Sequence, residues 1–164
     1  MHKKTEFWQQ AASCIQSITF EFQTLADINS IIGYLTQWLP DESPVTLGLK
    51  ELMVNAVEHG NLGIGYTLKT QLLQQGTWLE EIEKRLQLPE NKLKKAILQA
   101  HFSLDSLQLS IQDQGQGFDY QKYMRPQKNT TTPHGRGLVL AKNMAFATLK
   151  FKAKGRRVEA TALL

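Results

Sequence analysis

The chain has little cysteine and no long apolar run, and each absence excludes some classes of protein. Its 164 residues include one cysteine, Cys14, which excludes an internal disulfide and a cysteine-rich zinc site. No apolar stretch approaches the roughly 20 residues of a membrane-spanning helix, and the N-terminus shows no apolar signal-peptide core. The net charge of +4 permits an anionic ligand without requiring nucleic acid. We therefore expect one globular domain over residues 1–164, cytoplasmic and without a membrane partner.

Hydrophobic periodicity predicts an α/β fold, specifically a two-layer sandwich. Alternating residues indicate a strand over 17–22, a hairpin formed by 95–104 and 107–113, and a second hairpin over 148–164 that turns at Gly155. Helical spacing predicts helices over 24–39, from Ser43 and Pro44 to about His59, in two short pieces of 67–88 broken near Gly76, and over 135–147. This order of elements predicts helices on one face of a mixed, mostly antiparallel sheet. Residues 1–16 form an N-terminal extension in this scheme.

The stretch ELMVNAVEHG, residues 51–60, is an amphipathic helix whose polar side contains an unusual residue. At 100° per residue, Glu51, Asn55 and Glu58 share the face opposite an apolar core stripe. The core stripe consists of Leu49, Leu52, Met53, Ala56, Val57 and Gly60. A solvated polar stripe is one interpretation. Asn is a mediocre helix former, so the alternative is a site in which Asn55 offers an oxygen to a hard cation beside a proton-handling carboxylate.

A second polar feature follows the strand that contains Leu107, Leu109 and Ile111. Asp113 is the next residue on the same side of that strand, and an inward-facing carboxylate is costly without hydrogen-bond donors. Gly115 and Gly117 come directly after it and leave room for a close approach. A flat heterocycle with an exocyclic amine, such as adenine, would supply the donor. The alternative is a glycine-rich turn with a surface aspartate.

A third feature is HGRGLVL, residues 134–140, where two glycines open a predicted helix. The free N–H groups and positive dipole of a helix start can hold a phosphate, although a ligand-free helix start has the same pattern. The preceding stretch, residues 118–134, lacks periodicity and contains prolines and threonines, so we expect a loop. Its positive charges are Lys122, Arg125 and Lys128.

Taken together and in this order, the three features resemble the ATPase superfamily of gyrase, histidine kinases, the ninety-kilodalton heat-shock chaperone and the mismatch-repair ATPases. ELMVNAVEHG is similar to the N box of that superfamily, DQGQGF to its first glycine box and HGRGLVL to its second. The resemblance covers roughly residues 17–164. It implies a Bergerat-type ATP-binding fold, with ATP and Mg²⁺ as cofactors.

The resemblance also implies a role for each residue of the three boxes. Asn55 would hold Mg²⁺, Glu51 would be the general base, and Asp113 would accept from the adenine amino group. Gly115 and Gly117 would clear room for the base, and 118–134 would be the ATP lid. The phosphates would be closed in by Gly135, Arg136, Gly137 and Leu138. His59 receives no firm role and is expected to pack or cap.

Within the superfamily, the chain resembles the anti-sigma-factor serine kinases, because it leaves no room for the additional domains of the other branches. A sigma factor and an antagonist-type phosphoacceptor domain are the implied protein partners, and a homodimer is expected. The stretch of residues 61–90 is longer than in the simplest of those kinases. It is similar to the ATPase domains of bacterial proteins that also contain receiver and phosphatase domains.

Two other functional classes remain open from the sequence. In the first, the domain is a nucleotide-gated protein-binding module without phosphotransfer, in which ATP only orders the lid. In the second, it binds an anion or a nucleic acid through basic residues of the last hairpin, although lysines also protect ordinary strand edges. Those basic residues are Lys150, Lys152, Lys154, Arg156 and Arg157. We expect no nucleic-acid partner.

Overall fold

One antiparallel sheet of five strands organises the part of the chain that the computed structural model describes, residue 14 and residues 16–35, 43–118 and 145–163. The strands run in the order β1-β2-β3-β5-β4 across the sheet, and every pairing between neighbours is antiparallel. Their bounds are Ser17–Phe22 for β1, Ala96–Phe102 for β2, Ser106–Gln112 for β3, Thr148–Lys152 for β4 and Arg157–Leu163 for β5.

Four α-helices accompany the sheet in the described residues: α1 is Leu25–Leu35, α2 is Pro44–Asn55, α3 is Tyr66–Gln75 and α4 is Trp78–Leu86. A π-helical turn, Ala56–Asn61, continues α2 without a break. Ser43 caps α2 by accepting a hydrogen bond from the Thr46 N–H at 3.2 Å, with Pro44 at the first helical position. Gly76 ends α3 with φ +73°, a conformation that glycine adopts without steric penalty. None of the described helices is long and apolar enough to span a bilayer.

The core lies on one face of the sheet. Burial alternates along β2, β3 and β5, because successive side chains of a strand point to opposite faces. Leu98, Leu109 and Ala160 belong to the buried set, which joins apolar residues of the helices in one cluster. The opposite face carries polar residues such as Thr19, Gln99 and Ser110. This is a two-layer α/β sandwich, as the sequence predicted.

Most of the predicted elements are confirmed at nearly their predicted bounds. β1 and both hairpins are present, the second turning at Gly155 with φ +88°, and the break near Gly76 separates α3 from α4. The prediction of a mixed sheet needs correction, because every pairing among the described strands is antiparallel. The loop predicted over 118–134 and the helix over 135–147 lie almost wholly outside the described residues.

Candidate functional site

A cavity of about 570 Å³ lies where the end of α2 meets the end of β3. Glu51 and Asn55 contribute to its helical wall, and Asp113 and the glycines that follow β3 contribute to the opposite wall. Two of the three sequence features therefore meet in one cavity. The third, with Gly135, Arg136, Gly137 and Leu138, lies outside the described residues, and its role stays a prediction.

The π-helical turn decides which polar residues of the opening motif face the cavity. The Leu62 N–H donates to the Val57 carbonyl at 2.9 Å, five residues back, so this turn contains one residue more than an α-helical turn. As a result His59, and not Glu58, joins Glu51 and Asn55 in the cavity lining. The predicted polar stripe was wrong for Glu58, whose side chain is 0% exposed.

His59 lines the cavity, although no firm role was predicted for it from the sequence. Its Nδ1 makes a short contact with the carbonyl oxygen of Ile64, which ties the ring to the loop after the π-helical turn. The spacing of four residues through Glu51, Asn55 and His59 was visible in the sequence. Because the π-helical turn contains one extra residue, His59 and not Glu58 follows Asn55 along the cavity wall.

Asp113 lies at the base of the opposite wall and is 9% exposed. Its main-chain N–H donates to the Arg156 carbonyl at 2.9 Å, and its Oδ1 accepts from the Gly115 N–H at 2.8 Å. Burial raises the pKa of the Asp113 carboxyl, and the Gly115 N–H and the positive charge of Arg156 oppose that shift only in part. The result is a desolvated acceptor beside the cavity, suited to a neutral N–H donor such as an adenine amino group.

Two glycines, Gly60 and Gly115, let the two walls approach each other closely, and Gly117 lets the segment after β3 pack against the last hairpin. A Cβ on Gly60 would lie 2.4 Å from Asp113 Cγ, and one on Gly115 would lie 2.1 Å from the Gly60 carbonyl oxygen. Gly117 has φ +83°, and its Cβ would lie 2.2 Å from the Lys154 carbonyl oxygen. The Asp113 side chain occupies the space that Gly60 leaves, and the chain's own backbone occupies the space beside Gly115 and Gly117. That Gly115 and Gly117 also clear room for a base stays a prediction.

Asn61 joins the walls through a second set of contacts. It is 2% exposed, and its Oδ1 accepts from the Gln114 N–H at 2.8 Å, one residue from Asp113. Lys94 Nζ donates to the Asn61 carbonyl at 3.1 Å, and Arg85 Nη1 donates to the Leu62 carbonyl at 2.8 Å. The long connection between the N box and β2 thus fixes the loop that borders the cavity, a role that the sequence did not reveal.

Glu51 and Asn55 retain their bonding capacity for a ligand. Among the described residues neither side chain has a hydrogen-bond or ion-pair partner, and both line the cavity one helical turn apart. An amide oxygen is a suitable ligand for Mg²⁺, which usually takes few protein ligands and keeps waters and substrate phosphates. The described residues contain no group of three or more His, Cys, Asp or Glu that could hold a metal. Asn55 therefore fits a Mg²⁺ ion shared with a nucleotide better than a protein-only metal cage.

The model of the histidine kinase-like ATPase domain family matches residues 23–161. The chain belongs to this family. The matched residues include both walls of the cavity, all of strands β2, β3 and β4, and most of β5. No curated protein matches the chain.

Family membership confirms the resemblance on which the sequence interpretation rested. A histidine kinase-like ATPase domain binds a nucleotide. That the nucleotide occupies the cavity between the N box and the first glycine box stays a prediction. Two basic side chains of the last hairpin contact neighbouring side chains, and only one of these partners is an acid. Lys152 pairs with Glu159 at 2.6 Å, and Arg157 donates to Gln112 at 2.6 Å.

Proposed function

We propose that the protein is an ATP- and Mg²⁺-dependent serine/threonine protein kinase of the anti-sigma-factor type. One observation carries the proposal: Glu51 and Asn55, a carboxylate and an amide without a side-chain partner among the described residues, share a cavity with the desolvated acceptor Asp113. Asp113 suits the adenine end of ATP, and the other two suit the end where phosphoryl transfer occurs. Membership in the histidine kinase-like ATPase family supports the same assignment.

In this proposal each of the three residues has one task. Asp113 accepts from the adenine amino group, and Asn55 holds the Mg²⁺ ion, which neutralises phosphate charge when bound. Glu51 takes the proton of a serine or threonine hydroxyl while the hydroxyl oxygen forms its bond to the γ-phosphorus. The bond from that phosphorus to the β–γ bridging oxygen breaks, and ADP leaves with the electron pair.

The proposed protein partners are a sigma factor and the antagonist-type domain that carries the phosphorylated hydroxyl, and the proposed assembly is a homodimer. The alternative is a nucleotide-gated binding module, which would share the cavity but not the chemistry. Retention of cellular proteins on the immobilised protein with and without Mg-ATP, followed by phosphosite mapping, identifies the acceptor. A retained partner that is never phosphorylated would favour the binding module.

Two substitutions separate catalysis from binding. Glu51→Gln keeps the size and polarity of the side chain but removes the base, so phosphate transfer should fall by about 10²- to 10⁴-fold while calorimetry shows nearly unchanged Mg-ATP affinity. Asn55→Ala should instead weaken Mg²⁺-dependent ATP binding. Glu83→Gln, an exposed glutamate of α4 outside the cavity, is the matched control. Transfer by Glu51→Gln at the wild-type rate would refute the assignment of the base.

A further inference from the structure

Four described lysines and arginines line the cavity, and three of them form hydrogen bonds to the protein's own backbone. Arg85, Lys94 and Arg156 each donate to main-chain carbonyl oxygens of neighbouring loops, at 2.8 to 3.2 Å. Lys69, on the second turn of α3, is the fourth. It makes no hydrogen bond to a carbonyl among the described residues, so its role is not explained by loop anchoring.

Lys69 is held by a buried carboxylate. Its Nζ lies 2.8 Å from Glu58 Oε2, and the Glu58 side chain is 0% exposed while that of Lys69 is 18% exposed. The same Nζ lies 5.9 Å from the centre of the Trp78 ring. The contact with Glu58 is an ion pair without hydrogen-bond alignment, and the carboxylate has no hydrogen-bond partner in the described part of the chain.

This arrangement places a positive charge at the boundary between the core and the cavity. A buried ion pair adds little net stability, because the desolvation of both charges offsets their attraction. An ammonium group has three N–H donors, and here one anion lies on its buried side. The partly exposed side of Lys69 therefore keeps donors for an anionic group inside the cavity.

We propose that Lys69 is a binding residue for a phosphate group of the nucleotide, held in place by Glu58. The proposal rests on the proposed function, since it requires a nucleotide in this cavity. It adds a contact from α3, outside the three sequence boxes. It also gives the π-helical turn a purpose, because that turn directs Glu58 away from the cavity and toward Lys69.

The test compares three ligands that differ only in phosphate: adenosine, ADP and ATP, each titrated by calorimetry in the presence of Mg²⁺. Lys69→Met alone leaves Glu58 buried and unpaired, so the principal variant is the double substitution Glu58→Gln with Lys69→Met. Lys84→Met removes a lysine that is 73% exposed and pairs with Glu81 on α4, and it serves as the matched control. Thermal unfolding shows that each variant is folded.

We expect the double variant to bind ADP and ATP about 10- to 100-fold more weakly than the wild type and adenosine within about twofold. Lys84→Met should match the wild type for all three ligands. An equal loss for adenosine and ATP, or no loss for any ligand, would overturn the phosphate contact and leave a structural ion pair. Wild-type protein that binds neither ADP nor ATP would overturn the proposed function and this inference together.

Discussion

Two glycine-to-alanine substitutions in helical segments should have opposite effects, and the comparison tests how the cavity is assembled. Gly60 lies in the π-helical turn, where a Cβ would be 2.4 Å from Asp113 Cγ and 2.7 Å from Asp113 Oδ1. Gly33 lies inside α1 on the exposed surface, and nothing is within 4 Å of its Cβ position. The two sites differ in the space available and not in the substitution itself.

The size of each effect follows from these distances. Asp113 is held by its main-chain N–H and by the Gly115 N–H, so it cannot yield by about 1 Å without losing one of them. Overpacking of this kind costs about 1–3 kcal/mol, which lowers Tm by about 2–12 °C in a protein of this size. Gly33→Ala should stabilise the fold by about 0.5–1 kcal/mol, because alanine has less backbone freedom to lose on folding.

Nucleotide affinity gives the second measurement. Displacing Asp113 removes a hydrogen bond to a charged acceptor, worth about 1.5–3 kcal/mol, so Gly60→Ala should bind ATP about 10- to 150-fold more weakly. Gly33→Ala should bind ATP like the wild type. Calorimetry and thermal unfolding on the two variants suffice. Wild-type ATP affinity in a folded Gly60→Ala protein would show that the position of Asp113 does not determine nucleotide binding.

Two further predictions follow from titrating groups. Because burial raises the pKa of Asp113 and adenine recognition needs the ionised carboxylate, ATP binding should weaken on mild acidification, at a higher pH than a free aspartate would titrate. Calorimetry across a range of pH should show that Asp113→Asn binds ATP more weakly than the wild type and without this pH dependence. A variant with the same pH profile as the wild type would contradict the assignment of Asp113. Although burial acts to raise the pKa of Asp27, hydrogen bonds from the Gln23 and Thr24 N–H groups lower it overall. Its stabilisation is therefore present at neutral pH and lost as pH falls through the lowered pKa, so Asp27→Ala should cost about 0.5–2 kcal/mol at neutral pH and little in acid, measured by denaturant unfolding.

The sequence predicted the sheet and the helices well, because alternation and helical spacing are local properties of the chain. The hairpin turn at Gly155 and the cap at Ser43 each depend on residues within a few positions. The proximity of the two cavity walls is not a local property, and it was predicted only through the resemblance to a known ATPase superfamily. No periodicity argument placed Asp113 beside the end of α2.

The residues that the sequence misassigned or passed over depend on features that a regular helix does not contain. A constant 100° rotation places Glu58 on the polar stripe, whereas the π-helical turn buries it and directs His59 into the cavity. Asn61 and Lys94 act through main-chain contacts across the cavity rim. Contacts of that kind depend on tertiary geometry, and their residue types are ordinary at such positions.

The structure also separates two kinds of information in the first glycine box. Gly115 packs against the backbone of Gly60 on the helical wall, and Gly117 packs against that of Lys154 in the last hairpin, so a side chain at either position would clash with the protein's own backbone. A sequence match at these glycines therefore indicates how the backbone packs around the cavity and not which chemistry occurs there. The proposed chemistry depends instead on Asp113, Glu51 and Asn55, which line the cavity. Among the described residues, the side chains of Glu51 and Asn55 have no hydrogen-bond or ion-pair partner. Substitutions of the glycines should therefore destabilise the fold and weaken binding together, whereas Glu51→Gln should leave the fold intact, and this difference distinguishes the two groups of residues experimentally.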